Sequence, residues 1–165
     1  MDYQIMFANS DAEEELRGIF LDSDMDIAGD IQEHVLIRKG DEIIGGGMLA
    51  QTDDKVFHLL VFAVKESARK NGTGRLLIEE LLRQPWQYCK DGSAVLERDH
   101  KVTTVSKGKS AGFYKKIGFV PCGFPELAHP FNEQCVECPE LDECGPVAMI
   151  YAWHSSSDAV TGVSP

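Results

Sequence analysis

The order of apolar and polar residues in the first part of the chain predicts a strand followed by a helix. Residues 3–8 are mostly apolar and are typical of a short strand. Asn9-Ser10-Asp11 offers side-chain oxygens that cap helices, so we expect a helix over 11–21. Its apolar side would consist of Leu16, Ile19, Phe20 and Leu21. Four aspartates follow within residues 22–30, which indicates a solvated loop or a short helix.

Two β-rich runs come next, at 34–38 and 42–51, and the turn-forming Lys39-Gly40-Asp41 between them predicts an antiparallel hairpin. Consecutive glycines at 45–47 interrupt the second run. Because each weakens a strand by ~0.5–1 kcal/mol relative to Ala, they indicate a bulge or a close approach of backbones. The nearly continuous apolar run at 56–64 is typical of a central strand covered on both faces.

The second half of the chain continues this alternation of helices and strands. Residues 93–97 fit either a strand or a last piece of helix. We expect one domain over 1–153 and a flexible tail over 154–165, which has few large apolar groups. The remaining predicted elements are a helix over 72–84 ended by Pro85, a strand over 101–106, a helix over 110–117 stopped by Gly118, and a strand over 147–153.

Composition and charge exclude several classes of protein. The chain has 165 residues, of which 43% are hydrophobic and 26% charged, as in ordinary globular domains. Its net charge of −11 argues against nucleic-acid or anionic-membrane binding. Apolar runs such as 59–64 are far shorter than the ~20 residues of a membrane helix, and an acidic residue stands where a signal peptide carries basic ones. We therefore expect a cytoplasmic protein.

The five cysteines are an odd number in a chain without an export signal, which favours reduced thiols over a disulfide framework. Cys135, Cys138 and Cys144, within a Cys-rich segment at 122–144, have a spacing that would supply part of a tetrahedral zinc set. A second close pair is missing, so we assign no metal and expect a loop with reduced thiols. Zinc remains the alternative, and its fourth ligand would be one of Cys122, His129 and Glu143.

A cluster of basic residues gives the strongest chemical signal. Lys65, Arg69, Lys70 and Arg75 against Glu66 amount to +4 − 1 = +3 in this acidic chain. They surround the start of the 72–84 helix, where free backbone N–H groups and the helix dipole disfavour cations unless an anion is bound. Glycines at 72 and 74 would let a phosphate approach those N–H groups, so we predict a phosphate cradle over residues 69–75.

Two common phosphate-binding motifs do not fit this cradle. A Walker A loop requires Gly-Lys-Ser/Thr, whereas Gly74 is followed by Arg75-Leu76. A dinucleotide fingerprint requires a third glycine three residues after Gly74, and Leu77 stands there.

The residues Arg69-Lys70-Asn71-Gly72-Thr73-Gly74 closely resemble the Arg/Gln-x-x-Gly-x-Gly/Ala signature of the GNAT superfamily of N-acetyltransferases. The preceding strand ends at Val64, eight residues before Gly72, as in that family. The segment 110–119 is similar to the family's second signature, Ala-x-x-Phe/Tyr-Tyr-x-x-x-Gly-Phe. Two signatures in the right order are far more specific than either alone, and the resemblance covers about residues 36–121.

The resemblance implies an α/β (α+β) fold with a mixed, mostly antiparallel central sheet flanked by helices. It implies acetyl-CoA as co-substrate, bound where two central strands splay apart, and direct transfer of the acetyl group to a primary amine of a small molecule or amino acid. The backbone of Phe62, Ala63 and Val64 would pair with the pantetheine arm. The pyrophosphate would be held by Arg69, Lys70, Asn71, Gly72, Thr73, Gly74 and Arg75.

The resemblance also implies two catalytic residues. Attack on the thioester requires an unprotonated amine. His58 stands where some members carry a catalytic glutamate, and a neutral imidazole relays protons, although a histidine in an apolar strand is also a common structural residue. Tyr114 occupies the position whose hydroxyl protonates the departing CoA thiolate, with aromatic packing as the alternative role.

The expected partners are acetyl-CoA and an amine acceptor, without nucleic acid or membrane, in a monomer or homodimer. The competing class is a non-catalytic acyl-CoA-binding or sensing module, in which Tyr114 would be dispensable. Asp22, Asp24, Asp26 and Asp30 lie in the segment that, by resemblance, borders the acceptor site, and they favour a basic or zwitterionic amine. A likeness of the Cys-rich segment to amino-acid N-acetyltransferases, including glutamate-acetylating ones, favours the opposite preference.

Overall fold

The computed structural model describes residues 3–90, 100–133 and 145–153. They form two compact units, one from 3–50 with 59–90 and the other from 51–58 with 100–133 and 145–153. The strands are β1 (Tyr3–Phe7), β2 (Val35–Lys39), β3 (Glu42–Asp53), β4 (Val56–Val64), β5 (His100–Ser106), β6 (Val120–Pro121) and β7 (Val147–Trp153), in the sheet order β1-β2-β3-β4-β5-β7-β6. The α-helices of the described residues are α1 (Glu13–Leu21), α2 (Thr73–Arg83) and α3 (Ala111–Ile117).

The predicted hairpin is confirmed and contains a bulge. β2 and β3 pair antiparallel, with Ile37 opposite Gly45 but Arg38 opposite Ile43, so Ile44 is the extra residue. The carbonyl of Ile44 accepts a hydrogen bond from the Lys65 amide at 2.8 Å instead. The bulge therefore ties β3 to the segment that follows β4.

The glycines at 45–47 lie in an uninterrupted strand, and the predicted close approach of backbones is confirmed. A Cβ on Gly46 would lie 2.6 Å from the Val35 carbonyl oxygen and 2.7 Å from a methyl of Leu16. A Cβ on Gly45 would lie 2.9 Å from the Ala63 carbonyl oxygen. Only glycine fits at these positions without displacing a neighbour.

The helix α1 begins as the sequence predicts, with Asn9 Oδ1 accepting from the Asp11 amide at 3.0 Å, in a 3₁₀ turn that leads into the helix. Leu16, Ile19 and Phe20 are buried. The prediction that Leu21 belongs to the apolar side is wrong, because that side chain is 53% exposed. A turn of about 100° from Phe20 carries Leu21 away from the core.

The segment 22–30 is a loop, which decides between the two structures predicted for it. Its first residues close α1 by the Schellman pattern: the Met25 amide donates to Phe20 O at 2.9 Å and the Asp24 amide to Leu21 O at 3.0 Å. Asp24 has the left-handed backbone of that motif, with φ 62°. Farther along, Asp26 pairs with Arg17 Nε at 3.0 Å.

The helix α2 follows β4 and a 3₁₀ turn over Glu66–Asn71. Gly72 stands at its N-terminus with φ 79°, and the helix ends before Pro85, as predicted. Its apolar side is fully buried and consists of the predicted residues Leu77, Ile78, Leu81 and Leu82.

In the second unit, β5 and β7 pair antiparallel along their whole length, and β6 adds two residues to β7. The amide of Lys101 donates to the Lys55 carbonyl, and the Thr103 hydroxyl donates to the Phe57 carbonyl. This register increases in the same direction along both strands, so the start of β4 runs parallel to β5. The sheet is therefore mixed and mostly antiparallel, which confirms the predicted fold class.

The helix α3 also lies where predicted, and Gly118 ends it with φ 126°. No helix among the described residues is long and apolar enough to cross a membrane. Residues 93–97, the thiols of Cys135, Cys138 and Cys144, and the tail over 154–165 lie outside the described residues.

Candidate active site

The predicted phosphate cradle (residues 69–75) lies at the N-terminus of α2. Gly72 is exposed, and a Cβ built on it would meet nothing within 4 Å, so the space beside this glycine is open. The helix's first intrahelical bond runs from the Leu76 amide to Gly72 O at 3.0 Å. The amides of residues 73–75 precede it, and amides of a first turn have no partner within their own helix. The segment thus combines open space with backbone donors that have no partner within the helix.

Thr73 is the first residue of α2 and is 1% exposed. Among the residues that the structure describes, its buried Oγ1 has no hydrogen-bond partner. Leaving a buried hydroxyl without a partner costs about 1–3 kcal/mol. Within the described residues, the first residue of the helix therefore carries a buried hydroxyl that is not used in hydrogen bonding.

The guanidinium of Arg69 is held in place by two neighbours. Its Nε donates to the Val64 carbonyl at 3.0 Å, and its Nη2 donates to Ser23 Oγ at 3.2 Å. A guanidinium carries five N–H donors, so three of them have no partner among the described residues and are left for a ligand. Arg69 is thereby oriented by the end of β4 and by the loop that follows α1.

Two other bases of the cluster have carboxylate partners. Arg75 Nε donates to Glu79 at 2.9 Å, and Lys65 Nζ lies 3.0 Å from Glu42. Glu79 offsets the charge of Arg75 at the helix start, so Arg75 does not by itself require a bound anion. Exposed pairs of this kind contribute only about 0–1 kcal/mol and leave the other guanidinium donors available. The side chain of Lys70 lies outside the described part of the chain.

Phe62, Ala63 and Val64 form the end of β4 and are all at most 9% exposed. The glycines of β3 allow this end of the strand to lie against its neighbour at close distance. The predicted role of Phe62, Ala63 and Val64 is to pair with the pantetheine arm through their backbone groups. The positions of these groups depend on the strand rather than on the side chains.

Tyr114 lies on α3 and is 7% exposed. Its ring meets those of Phe113 and Phe119 edge to face, with centroids 5.2 Å and 5.3 Å away. Burial raises the pKa of the Tyr114 hydroxyl well above its usual range. The hydroxyl is therefore protonated at any physiological pH, as a proton donor must be.

His58 lies in β4 and is 1% exposed. Its ring stacks on Phe131 at a centroid distance of 3.9 Å, and its Nδ1 lies 2.8 Å from Thr103 Oγ1. Because the Thr103 hydroxyl donates to the Phe57 carbonyl, we assign the proton of His58 to Nδ1 and the lone pair to Nε2. Burial lowers the pKa of His58 to about 4, so the imidazole is neutral at physiological pH.

Several of these contacts were not found from the sequence. Thr103 and Phe131 beside His58, and Ser23 beside Arg69, are far away along the chain, and no local pattern points to them. The pair of Arg75 with Glu79 was not predicted either, although its i,i+4 spacing on a helix is a signal that the sequence carries.

Within the described residues, no group of three or more His, Cys, Asp and Glu side chains is arranged to hold a metal ion. Two of the predicted alternative zinc ligands are described. Burial raises the pKa of the Cys122 thiol, which disfavours the thiolate that zinc binds. His129 is 75% exposed and lies 3.9 Å from Glu133.

Comparison with known families identifies the chain. The model of the acetyltransferase (GNAT) domain matches residues 30–121, which is more than half of the chain. The protein therefore belongs to the GNAT acetyltransferase family. A search of curated protein sequences finds no significant match.

Solved structures share the fold at low sequence identity. The N-acetylglutamate synthase of Neisseria gonorrhoeae, complexed with coenzyme A and N-acetyl-glutamate, is 11% identical to this chain, with a TM-score of 0.72. The match covers 94% of this chain and 36% of the synthase, so the chain spans about a third of that protein. Ard1 from Thermoplasma volcanium is 15% identical, with a TM-score of 0.63 and coverage of 92% and 98%. Tetrahymena GCN5 is 16% identical, with a TM-score of 0.61 and coverage of 93% and 97%. These similarities establish the GNAT fold.

Proposed function

We propose that the protein is an N-acetyltransferase that moves the acetyl group of acetyl-CoA directly to a primary amine of a small molecule or amino acid. The observation that carries the proposal is the start of α2, where the buried Thr73 Oγ1 has no partner within the described residues and Gly72 leaves open space beside free amides. Helix starts of this kind bind phosphate groups. A relative with this fold was solved with coenzyme A, which supports the same ligand here.

In the proposed complex the pyrophosphate of CoA contacts the cradle. The amides of Thr73, Gly74 and Arg75 donate to its oxygens, together with the Thr73 hydroxyl and the free N–H groups of Arg69. By the family resemblance, Asn71 and Lys70 also contribute to holding the pyrophosphate. The backbone of Phe62, Ala63 and Val64 pairs with the pantetheine arm and orients the thioester.

The reaction needs one proton acceptor and one proton donor. The lone pair of the neutral amine attacks the thioester carbonyl, a C–N bond forms, and the C–S bond then breaks. A backbone N–H near Val64 stabilises the oxyanion, an effect worth ~2.7–4 kcal/mol per donor. Tyr114 donates its proton to the leaving thiolate, and His58 Nε2 accepts the proton that the amine loses.

The acceptor preference follows from the acidic loop (residues 22–30). Asp22, Asp24, Asp26 and Asp30 are all exposed, and the chain carries a net charge of −11. Arg17 partly neutralises Asp26. These charges attract cationic amines and repel anionic ones, in a manner that salt weakens. We therefore propose a basic or zwitterionic acceptor.

Calorimetry with CoA tests the cradle through a pair of matched variants. Gly72 and Gly40 both have left-handed backbones, with φ 79° and 63°, and both border open space. Asn tolerates that conformation, so Gly72→Asn and Gly40→Asn carry a similar backbone cost. We expect Gly72→Asn to weaken CoA binding by about tenfold or more, because its side chain occupies the phosphate's space. Equal affinities of the two variants would contradict the proposed cradle.

Turnover separates an enzyme from a binding module. Acetyl-CoA is incubated with amino acids, polyamines, aminoglycosides and peptide N-termini, and products are identified by mass spectrometry. Comparing spermidine, lysine and glutamate at low and moderate salt tests the acceptor preference. CoA binding without acetylation of any amine would support the sensing module instead, and a clear preference for glutamate would show that local groups override the net charge.

A further inference from the structure

A fully buried histidine holds the far end of the acidic loop. His34 is 0% exposed and directly precedes β2. Its Nε2 lies 3.0 Å from the Ala28 amide, and its Nδ1 lies 2.9 Å from the Asp30 carbonyl oxygen. An amide only donates and a carbonyl only accepts. Both bonds together therefore require a neutral imidazole with its proton on Nδ1 and its lone pair on Nε2.

The acidic loop has no helix or strand near residues 28–30, and the His34 ring supports its backbone there through hydrogen bonds. The loop passes from the end of α1 to a short 3₁₀ turn over Ile31–Glu33, and the His34 amide closes that turn by donating to Ile31 O at 3.0 Å. Met25, Ile27 and Ala28 are only partly buried against the core. The two ring bonds thus fix the backbone at residues 28 and 30, next to the exposed carboxylate of Asp30.

The other end of the loop is attached to the phosphate cradle. Ser23 Oγ accepts from Arg69 Nη2 at 3.2 Å, and the same guanidinium donates to the end of β4 through Nε. The exposed carboxylates of the loop thus lie on backbone that is held at one end by His34 and at the other by Arg69.

We propose that His34 is a positioning residue for the acceptor: as the neutral Nδ1–H tautomer it holds the acidic loop in the conformation that binds the amine, and protonation of Nε2 releases the loop. The inference rests on the proposed function, which assigns the acidic loop to the acceptor. Protonation places two N–H groups face to face, so the bond from Ala28 is lost. It also creates a charge at a site without solvent access, which the loop must open to hydrate.

The groups around the His34 ring determine how readily Nε2 is protonated. Phe20 of α1 lies 6.0 Å from the ring and contributes apolar surface. The carboxylates that act on the ring are Glu33, in the 3₁₀ turn, and Glu13 on α1, and both favour the charged form. Burial outweighs them and lowers the pKa of His34. The amide of Ala8, the residue that follows β1, donates to the His34 carbonyl, a bond that ring titration leaves intact.

The support of the loop is measured without any activity assay. The ¹⁵N shifts of the His34 ring report the tautomer, assigned by comparison with His34→Gln. Gln offers one donor and one acceptor at its amide and does not titrate, whereas His34→Phe offers neither. We expect an Nδ1–H ring at pH 7, and an Ala28 amide that loses about tenfold in exchange protection in His34→Phe but not in His34→Gln. An Nε2–H ring, or equal protection in both variants, would overturn the proposed support.

Kinetics then test the connection to the acceptor. We expect His34→Phe to raise the acceptor KM about fivefold while the acetyl-CoA KM stays within about twofold, with His34→Gln close to the wild type. On lowering the pH from 7 to 5, Ala28 protection should fall in the wild type and persist in His34→Gln. The exposed His129 gives a control, His129→Gln, that should change neither quantity. Loss of Ala28 protection with an unchanged acceptor KM would refute the positioning role, whereas failure of the proposed function would abolish acetyl transfer in every variant.

Discussion

The Tyr114 hydroxyl is expected to act on the leaving group rather than on binding. Phe in its place keeps the edge-to-face contacts with Phe113 and Phe119 and removes only the proton donor. We expect Tyr114→Phe to lower kcat by about 10²-fold or more while the affinity for CoA changes less than about twofold. Steady-state kinetics and calorimetry on the same preparation measure both quantities.

A second tyrosine provides the control for that substitution. Tyr88 lies on the 3₁₀ turn that follows α2, and its hydroxyl donates to Glu80 at 2.6 Å. Tyr88→Phe removes the hydroxyl of a half-buried tyrosine that lies outside the proposed site, and its kcat should match the wild type. Equal activity of Tyr114→Phe and Tyr88→Phe would return Tyr114 to a packing role.

His58 as proton acceptor has a specific kinetic consequence. With a pKa of about 4, its protonation cannot limit the rate near neutral pH, so the acid limb that belongs to it lies near pH 4. We expect His58→Gln to lower kcat by about 10²-fold at pH 7. Activity within about twofold of the wild type would show that the imidazole is structural, held by Thr103 and Phe131.

The central glycine of β3 sets the distance at which the strands and α1 pack. A Cβ on Gly46 would meet both the Val35 carbonyl oxygen at 2.6 Å and Leu16 at 2.7 Å, and a backbone neighbour cannot rotate away. We expect Gly46→Ala to lower the free energy of unfolding by about 1–3 kcal/mol. Urea denaturation followed by circular dichroism measures this change.

The matched substitution lies on the helix that packs against this strand. Gly18 of α1 is exposed, and a Cβ there would meet nothing within 4 Å. Gly18→Ala should raise the free energy of unfolding by about 1 kcal/mol through helix propensity. A similar loss of stability in both variants would mean that the close approach at Gly46 is not what constrains β3.

The stability of the whole molecule should fall in mild acid. Burial lowers the pKa of His58 to about 4 and also lowers that of His34, so the unfolded chain binds protons that the folded protein excludes. Stability therefore decreases as the pH falls from about 6.5 towards 4. The pKa of His58 falls from an ordinary 6.5 in the unfolded chain to about 4 in the folded protein. This difference alone lowers the free energy of unfolding by about 3 kcal/mol across this pH range.

Urea unfolding at pH 7 and pH 5 measures the effect. His58→Gln should have a smaller difference between the two free energies than the wild type, because its side chain does not titrate. His129 is exposed, so His129→Gln should retain the wild-type difference. An unchanged pH dependence in His58→Gln would show that the imidazole is not held neutral by burial.

Local patterns in the sequence were sufficient to predict most of the helices and strands and the family of this protein. Hydrophobic period and turn residues predicted six of the seven strands, the hairpin and the three helices described above, because these signals arise between residues close along the chain. The two-residue strand β6 is too short to have a period and was not predicted. The two GNAT signatures predicted the family and the fold in the same way, since each is a short segment whose residues act together. The cradle around Gly72 was predicted for the same reason.

Contacts between distant segments required the folded structure. His58 contacts Thr103, which is 45 positions away along the chain, and Arg69 donates to Ser23, which is 46 positions away. A hydrophobic period names the buried face of an element but not the atoms opposite it, which is why Leu21 was assigned to the core although it is exposed. The bonds of His34 to the acidic loop depend on the path of an irregular backbone, and no period encodes such a path.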